Sequence, residues 1–121
     1  MSDVIIGLVA IFFAGMGVYG LVAPGKLVAP FGMRAASADG RNEVRAVYGG
    51  FGLAMAAALA LAAFGLGTLR DGVLVAVALA LGGMAAGRVV SMLLERPSRF
   101  YPTGFYLVVE VGLMAALLAA R

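Results

Sequence analysis

The residues able to do chemistry are few, and each lies beside hydrocarbon. The stretch Asn42-Glu43-Val44-Arg45-Ala46-Val47-Tyr48-Gly49-Gly50 sets an amide, two charges and a phenol at the head of a long apolar run. Arg88 and Ser91 interrupt a second run, and Tyr106 and Glu110 a third. On helices, Asn42, Arg45 and Gly49 share a face, with Tyr48 three residues beyond Arg45. Arg88 and Ser91 stand one turn apart, as do Tyr106 and Glu110. Such groups have two uses. They can form a hydrogen-bonded ionic clamp that fixes helix register, since balanced pairs are the least costly way to keep charge in an apolar medium. Alternatively, the arginines hold a carboxylate or phosphate head group while Glu110 exchanges a proton or binds a cation. Both uses stay open on the residues alone.

Other chemistries find little support. The chain has no cysteine and no histidine, which removes disulfides, thiolate metal sites, the usual haem ligand and the usual neutral-pH general base. Ser91 has no histidine or evident lysine to activate it and no GxSxG around it. A carboxylate-only metal site would use Glu43 and Glu110 beside arginines that disfavour a cation. No catalytic residue, metal ligand or cofactor is expected. Gly15-Met16-Gly17-Val18-Tyr19-Gly20 matches GxGxxG, but it lies inside an apolar run and lacks the strand and acidic residue a dinucleotide site needs. Close helix packing is the better reading of those glycines. Gly49, Gly50 and Gly52, and Gly83 and Gly87, are expected to allow similar approach. The net charge of +3 shows no basic stripe interleaved with aromatics, so nucleic acid is not an expected partner.

The elements that must position these groups follow from composition. Of 121 residues, 64% are hydrophobic and 12% charged. A domain this small could not hide so much apolar surface from water, because small domains leave a large fraction of it exposed. Four apolar runs are separated by turn signals, and the sequence predicts helices over about 4–22, 43–64, 73–94 and 104–120. Pro24-Gly25 breaks the first run, and 24–41 reads as a mixed interfacial segment. Ser37-Ala38-Asp39-Gly40 reads as a turn, with Asn42 the N-cap of the second helix. Gly65–Gly72 and Glu95–Pro102 read as the remaining turns. The first run, uncharged from Val4 to Val22, is too long and wrongly flanked for a signal peptide. The expected fold is all-α, a single integral membrane four-helix bundle over 1–121 with both termini on one side.

Depth ties the charges together. Arg88 lies six residues before Leu94, and Glu110 six after Gly104. At about 1.5 Å per residue, each is roughly 9 Å inside its helix end. Antiparallel neighbours joined by a short turn would bring the two to one level, and an Arg88–Glu110 pair is expected. Asn42, Glu43, Arg45, Tyr48, Ser91 and Tyr106 lie towards the same end, so these eight residues form the candidate polar cluster.

The run Asn42-Glu43-x-Arg45-Ala46-x-Tyr48-Gly49-Gly50, then Gly87-Arg88-x-x-Ser91 and Glu110, with Pro24 and Phe31-Gly32 before them, resembles the bacterial domain-of-unknown-function 4345 family. The resemblance covers nearly the whole chain and implies a small four-helix integral membrane protein, but no reaction. A likeness to DoxX-like membrane proteins is architectural only. Small multidrug transporters are also four-helix chains of this length, but they carry a glutamate in the first helix and this chain does not. The expected function is non-enzymatic: lipid or small-amphiphile binding, or service as an accessory subunit. A proton- or ion-coupled transporter acting as a dimer is the alternative. Expected partners are membrane lipids and a second copy or another membrane subunit.

Orientation follows from the cations. Lys26, Arg34, Arg41, Arg45, Arg96 and Arg99 fall at one end of the helices, against Arg70 and Arg121 at the other. Basic connections stay in the cytoplasm, which places both termini outside, in a bacterial inner membrane. A C-terminal reporter that works only in the periplasm should therefore be active. Activity of a cytoplasm-only reporter there would overturn this orientation.

Overall fold

The computed structural model describes residues 2–65, 69–97 and 99–121. Among them it is all helix and turn. Helix α1 runs Ser2–Val22, α2 Pro24–Val28, α3 Ala38–Val44, α4 Phe51–Ala63, α5 Leu69–Leu94 and α6 Thr103–Ala119. A 3₁₀ turn, Ala29–Phe31, follows α2, and a π-helical stretch, Arg45–Gly50, joins α3 to α4. Ser2–Val22, Ala38–Ala63 and Leu69–Leu94 are long and apolar enough to cross a membrane; Thr103–Ala119 is apolar but shorter, at 17 residues.

Two expected boundaries are corrected. The second rod begins at Ala38, not at 43, and its cap is Ser37, whose Oγ accepts from the Gly40 N–H at 2.9 Å. That is the bond an N-cap hydroxyl makes to the third helical residue. Asn42 is helical and caps nothing, because Ser37 supplies the same chemistry earlier and Gly40, a weak helix former, is carried along. Likewise α5 begins by Leu69, so the expected turn loses Leu69 to Gly72 to the helix. The expected turn residues 66–68, and Ser98, lie outside the described residues.

Packing follows the chain. The second rod lies along α1, α5 along α4, and α6 along α5, while α1 and α6 touch only sparingly. The α1 crossing with the second rod is set by glycines. A Cβ on Gly17 would come 2.8 Å from the carbonyl oxygen of Gly49, and one on Gly52 would come 2.9 Å from the Gly17 nitrogen and the Phe13 carbonyl oxygen. Backbones at that separation leave no room for a side chain. Of the GxGxxG glycines, Gly17 and Gly20 are thus part of a packing seam, and Gly15, with nothing within 4 Å, is not. Gly83 and Gly87 are not, having nothing within 4 Å, and the close approach on α5 is at Gly82, beneath Met114.

The core fills one half of the molecule. Leu74, Val77, Ala78, Leu81 and Ala85 form a helical stripe on α5, and it meets Ile6, Val9, Phe13, Leu59 and Leu117. At this end Arg70 pairs with Asp3 at 3.0 Å and Arg121 forks onto Asp71 at 2.8 and 3.1 Å. Residues near both chain ends therefore meet the start of α5. Large apolar side chains such as Leu8, Leu79, Leu93 and Val108 face outward, as expected of a surface solvated by lipid.

Gly52→Ala should cost about 1–3 kcal/mol, the usual penalty for overpacking. Gly15→Ala, where nothing lies within 4 Å, should be neutral or stabilise by up to about 1 kcal/mol, the helical advantage of alanine. Thermal unfolding of the purified protein compares the two.

Candidate functional site

Beyond the core, towards the end opposite the Asp3 and Arg121 pairs, the interior opens. Arg88 on α5 reaches Glu110 on α6 through a two-pronged contact. Nε donates to Oε1 at 2.8 Å and Nη2 to Oε2 at 3.0 Å. Glu110 is 4% exposed, while a quarter of the Arg88 side chain is accessible. The fork matches the planar guanidinium to the planar carboxylate, the strongest geometry such a pair has. The same antiparallel packing sets Gly82 against Met114 and, past the end of α6, brings Arg121 to Asp71. A guanidinium has five N–H donors, and Glu110 takes two. Among the described residues no other acceptor pairs with Arg88.

Aromatic rings cover the arginine. Its guanidinium carbon lies 5.8 Å from the Phe31 ring centroid and 5.7 Å from that of Tyr106. The two centroids are 5.5 Å apart, so both rings sit on one side of the cation. Contacts of this kind are worth about 0.5–2 kcal/mol, more when desolvated. Phe31 is placed there by its connection: Pro24 opens α2, the 3₁₀ turn follows, and Gly32 reverses the chain at φ 75°, where glycine carries no Cβ penalty.

Next to the fork is a cavity of about 650 Å³. Residues of α1, the 24–33 connection, the π-helical stretch, α5 and α6 all contribute to its wall. All four tyrosines of the chain line it: Tyr19, Tyr48, Tyr101 and Tyr106. Met16, Met84 and Phe12 supply apolar wall, and Lys26 stands with Arg88 and Glu110 as its charged members.

Of the eight residues expected to converge, four do: Tyr48, Arg88, Tyr106 and Glu110 line the cavity. Asn42, Glu43, Arg45 and Ser91 do not. Asn42 and Glu43 lie in α3, away from the cavity wall, and Ser91 is exposed on α5 past the fork. Arg45 turns back towards α1, its Nε donating to the Leu21 carbonyl at 3.0 Å. That carbonyl belongs to the last turn of α1, where acceptors lack helical partners and a cation suits the dipole. The expected shared face breaks for a local reason. A π turn holds an extra residue, so the 3.6-residue spacing does not carry across Arg45–Gly50. Sequence reasoning misses Tyr19, Lys26, Phe31 and Tyr101. Sorting the tyrosines by depth would find two of them, since all four lie towards the helix ends that flank the fork.

This geometry defines a class: an apolar, all-helical chain, with helices long enough to cross a membrane, built around a buried ion pair beside an aromatic cavity. The chain matches the family model of the domain of unknown function DUF4345 over residues 1–120, and it belongs to that family. Neither curated proteins nor solved structures give a match, and the DoxX-like likeness is not shown.

Removing one partner of the fork should be asymmetric. Arg88→Leu strands a carboxylate that is 4% exposed and should cost about 3–5 kcal/mol, the usual range for a broken buried pair. Glu110→Leu should cost less, because Arg88 is partly accessible and can reorient its head. Arg88→Leu/Glu110→Leu should return close to wild-type stability, as measured by thermal unfolding in one detergent.

Proposed function

We propose that this chain is a non-enzymatic, four-span protein of a bacterial inner membrane that binds a small amphiphile in the cavity beside Arg88 and Glu110. The cavity itself carries the proposal. Its volume, about 650 Å³, falls within the range of about 300–1,000 Å³ typical of small-molecule sites, and like them it has apolar and aromatic walls with a few convergent polar groups. A pair serving only as a clamp needs no such space beside it.

The four-span reading rests on α6 crossing as a fourth rod. At about 1.5 Å per residue, 17 residues reach about 26 Å, a few ångström short of an average hydrocarbon core and within what local thinning accommodates. The end of the helices that flanks the cavity carries most of the cations, which favours the cytoplasmic side for it.

Coupled transport by Glu110 draws less support. Both of its oxygens are engaged by Arg88, so a coupling carboxylate would first have to break this fork. For catalysis the cavity offers Lys26, Arg88, Glu110 and four phenols, and no nucleophile held against a base. Among the described residues no three histidine, cysteine or acidic side chains gather as a metal site.

Native mass spectrometry of the purified protein should find a bound amphiphile. Arg88→Leu/Glu110→Leu should shed it while keeping its melting temperature. A wild type that carries none, or a double variant that retains it fully, would count against binding at this site.

A further inference from the structure

Two features of the cavity say what it would hold, given that it binds an amphiphile at all. The first is charge. Glu110 is its only acidic lining residue among those described, and Arg88 neutralises it through the fork. Lys26 is left over: it lines the cavity and, among the described residues, makes no ion pair or hydrogen bond. The remaining polar groups are donor-rich, with Arg88 N–H groups beyond the two given to Glu110 and four tyrosine hydroxyls. A cationic head group would meet uncompensated positive charge with no carboxylate to receive it. An anionic, oxygen-rich one would find a charge-assisted partner in Lys26 and hydrogen-bond donors around it.

The second feature is the way in. α1 and α6 touch sparingly, and of the α1 residues that line the cavity, Ile11, Gly15 and Tyr19 are spaced one turn apart on a single face. All three are exposed, as residues of an open lip are and those of a closed wall are not. Ile11 lies nine residues after Ser2, about 14 Å along α1 and near the middle of a hydrocarbon core about 30 Å thick. A Cβ placed on Gly15 would have nothing within 4 Å, so the lip is open where a side chain would narrow it. Lys26 stands beyond the end of α1, towards the interface. A molecule crossing this lip sideways would keep its chain in hydrocarbon and bring its head to Lys26.

We infer that the cavity takes a single-chain anionic amphiphile from the bilayer, its carboxylate or phosphate head at Lys26 and the open edge of Arg88, its chain passing out beside Gly15. The inference rests on the binding reading above and names the ligand class for the same site.

The chain supplies its own reporter. It has no tryptophan, and all four tyrosines line the cavity, so tyrosine emission reads occupancy. The protein in vesicles of neutral phosphatidylcholine would be titrated with four probes sharing a twelve-carbon chain: laurate, dodecyl phosphate, dodecanol and dodecyltrimethylammonium. Laurate, dodecyl phosphate or both should bind about tenfold tighter than dodecanol, the scale of one favourable charge contact, and the ammonium probe weakest. Which anion wins separates a carboxylate ligand from a phosphate one. Lys26→Gln should erase the anion preference while dodecanol affinity persists. Gly15→Leu should weaken all binding about tenfold or more by narrowing the lip, whereas Gly7→Leu, equally unobstructed on α1 but away from the cavity, should bind as wild type. Equal affinity for all four probes, or an anion preference that survives Lys26→Gln, overturns the head-group assignment and leaves amphiphile binding standing. Undiminished binding by Gly15→Leu overturns the sideways path. No response to any probe sinks the binding reading itself.

Discussion

A carboxylate removed from both water and lipid can persist only where its charge is answered, and the Arg88–Glu110 fork is that answer. Several kcal/mol are at stake when such a group loses its partner. The fork fixes how α5 slides against α6, because a shift of one residue along either helix moves a charged group about 1.5 Å and turns it away from its partner. It also determines which face of each helix looks inward. The fork and the Gly82–Met114 approach lie along this antiparallel interface, and beyond the end of α6 the Asp71–Arg121 pair ties the chain to the start of α5.

On the other side of the molecule no ion pair among the described residues sets the register. α1 and the second rod meet backbone to backbone through Gly17, Gly20, Gly49 and Gly52, where shape alone excludes other alignments. The two devices lead to different interiors. Leucine, isoleucine and phenylalanine fill the half near the chain ends. Towards the other end, the glycine seam draws the second rod close to α1, and α1 meets α6 only sparingly. The space left there is roofed by the 24–33 connection and lined by tyrosines and the fork. Arg45, whose chemistry would have suited that space, is instead tied to the last turn of α1 through Leu21. It helps close the seam and does not enter the cavity.

Much of this is legible in the residues. Long uncharged runs identify the helices, because an apolar stretch of that length has few other fates. Two opposite charges at matching depth on neighbouring helices identify each other, because neither is stable there alone. The boundaries are less legible. Ser37 and Asn42 both offer cap chemistry five residues apart, and only the fold chooses between them. Gly17 and Gly20 of α1 pack as their setting in an apolar run implies, but Gly15 of α1 and Gly83 and Gly87 of α5 do not, since spacing does not say which side of a helix a neighbour occupies.

By itself, then, the amino-acid order determined the all-helical class, the family, the rods and the ion pair, since each depends on hydrophobic length, motif order or the cost of burying charge. Tertiary structure alone decided that Tyr19, Lys26, Phe31 and Tyr101 join the fork around one cavity, and that Asn42, Glu43, Arg45 and Ser91 stay out of it. Helical spacing predicts neighbours on one regular helix. It cannot carry through the π-helical stretch at Arg45–Gly50, nor bring a connection between helices back over a pocket, because both depend on which backbones come close enough to touch.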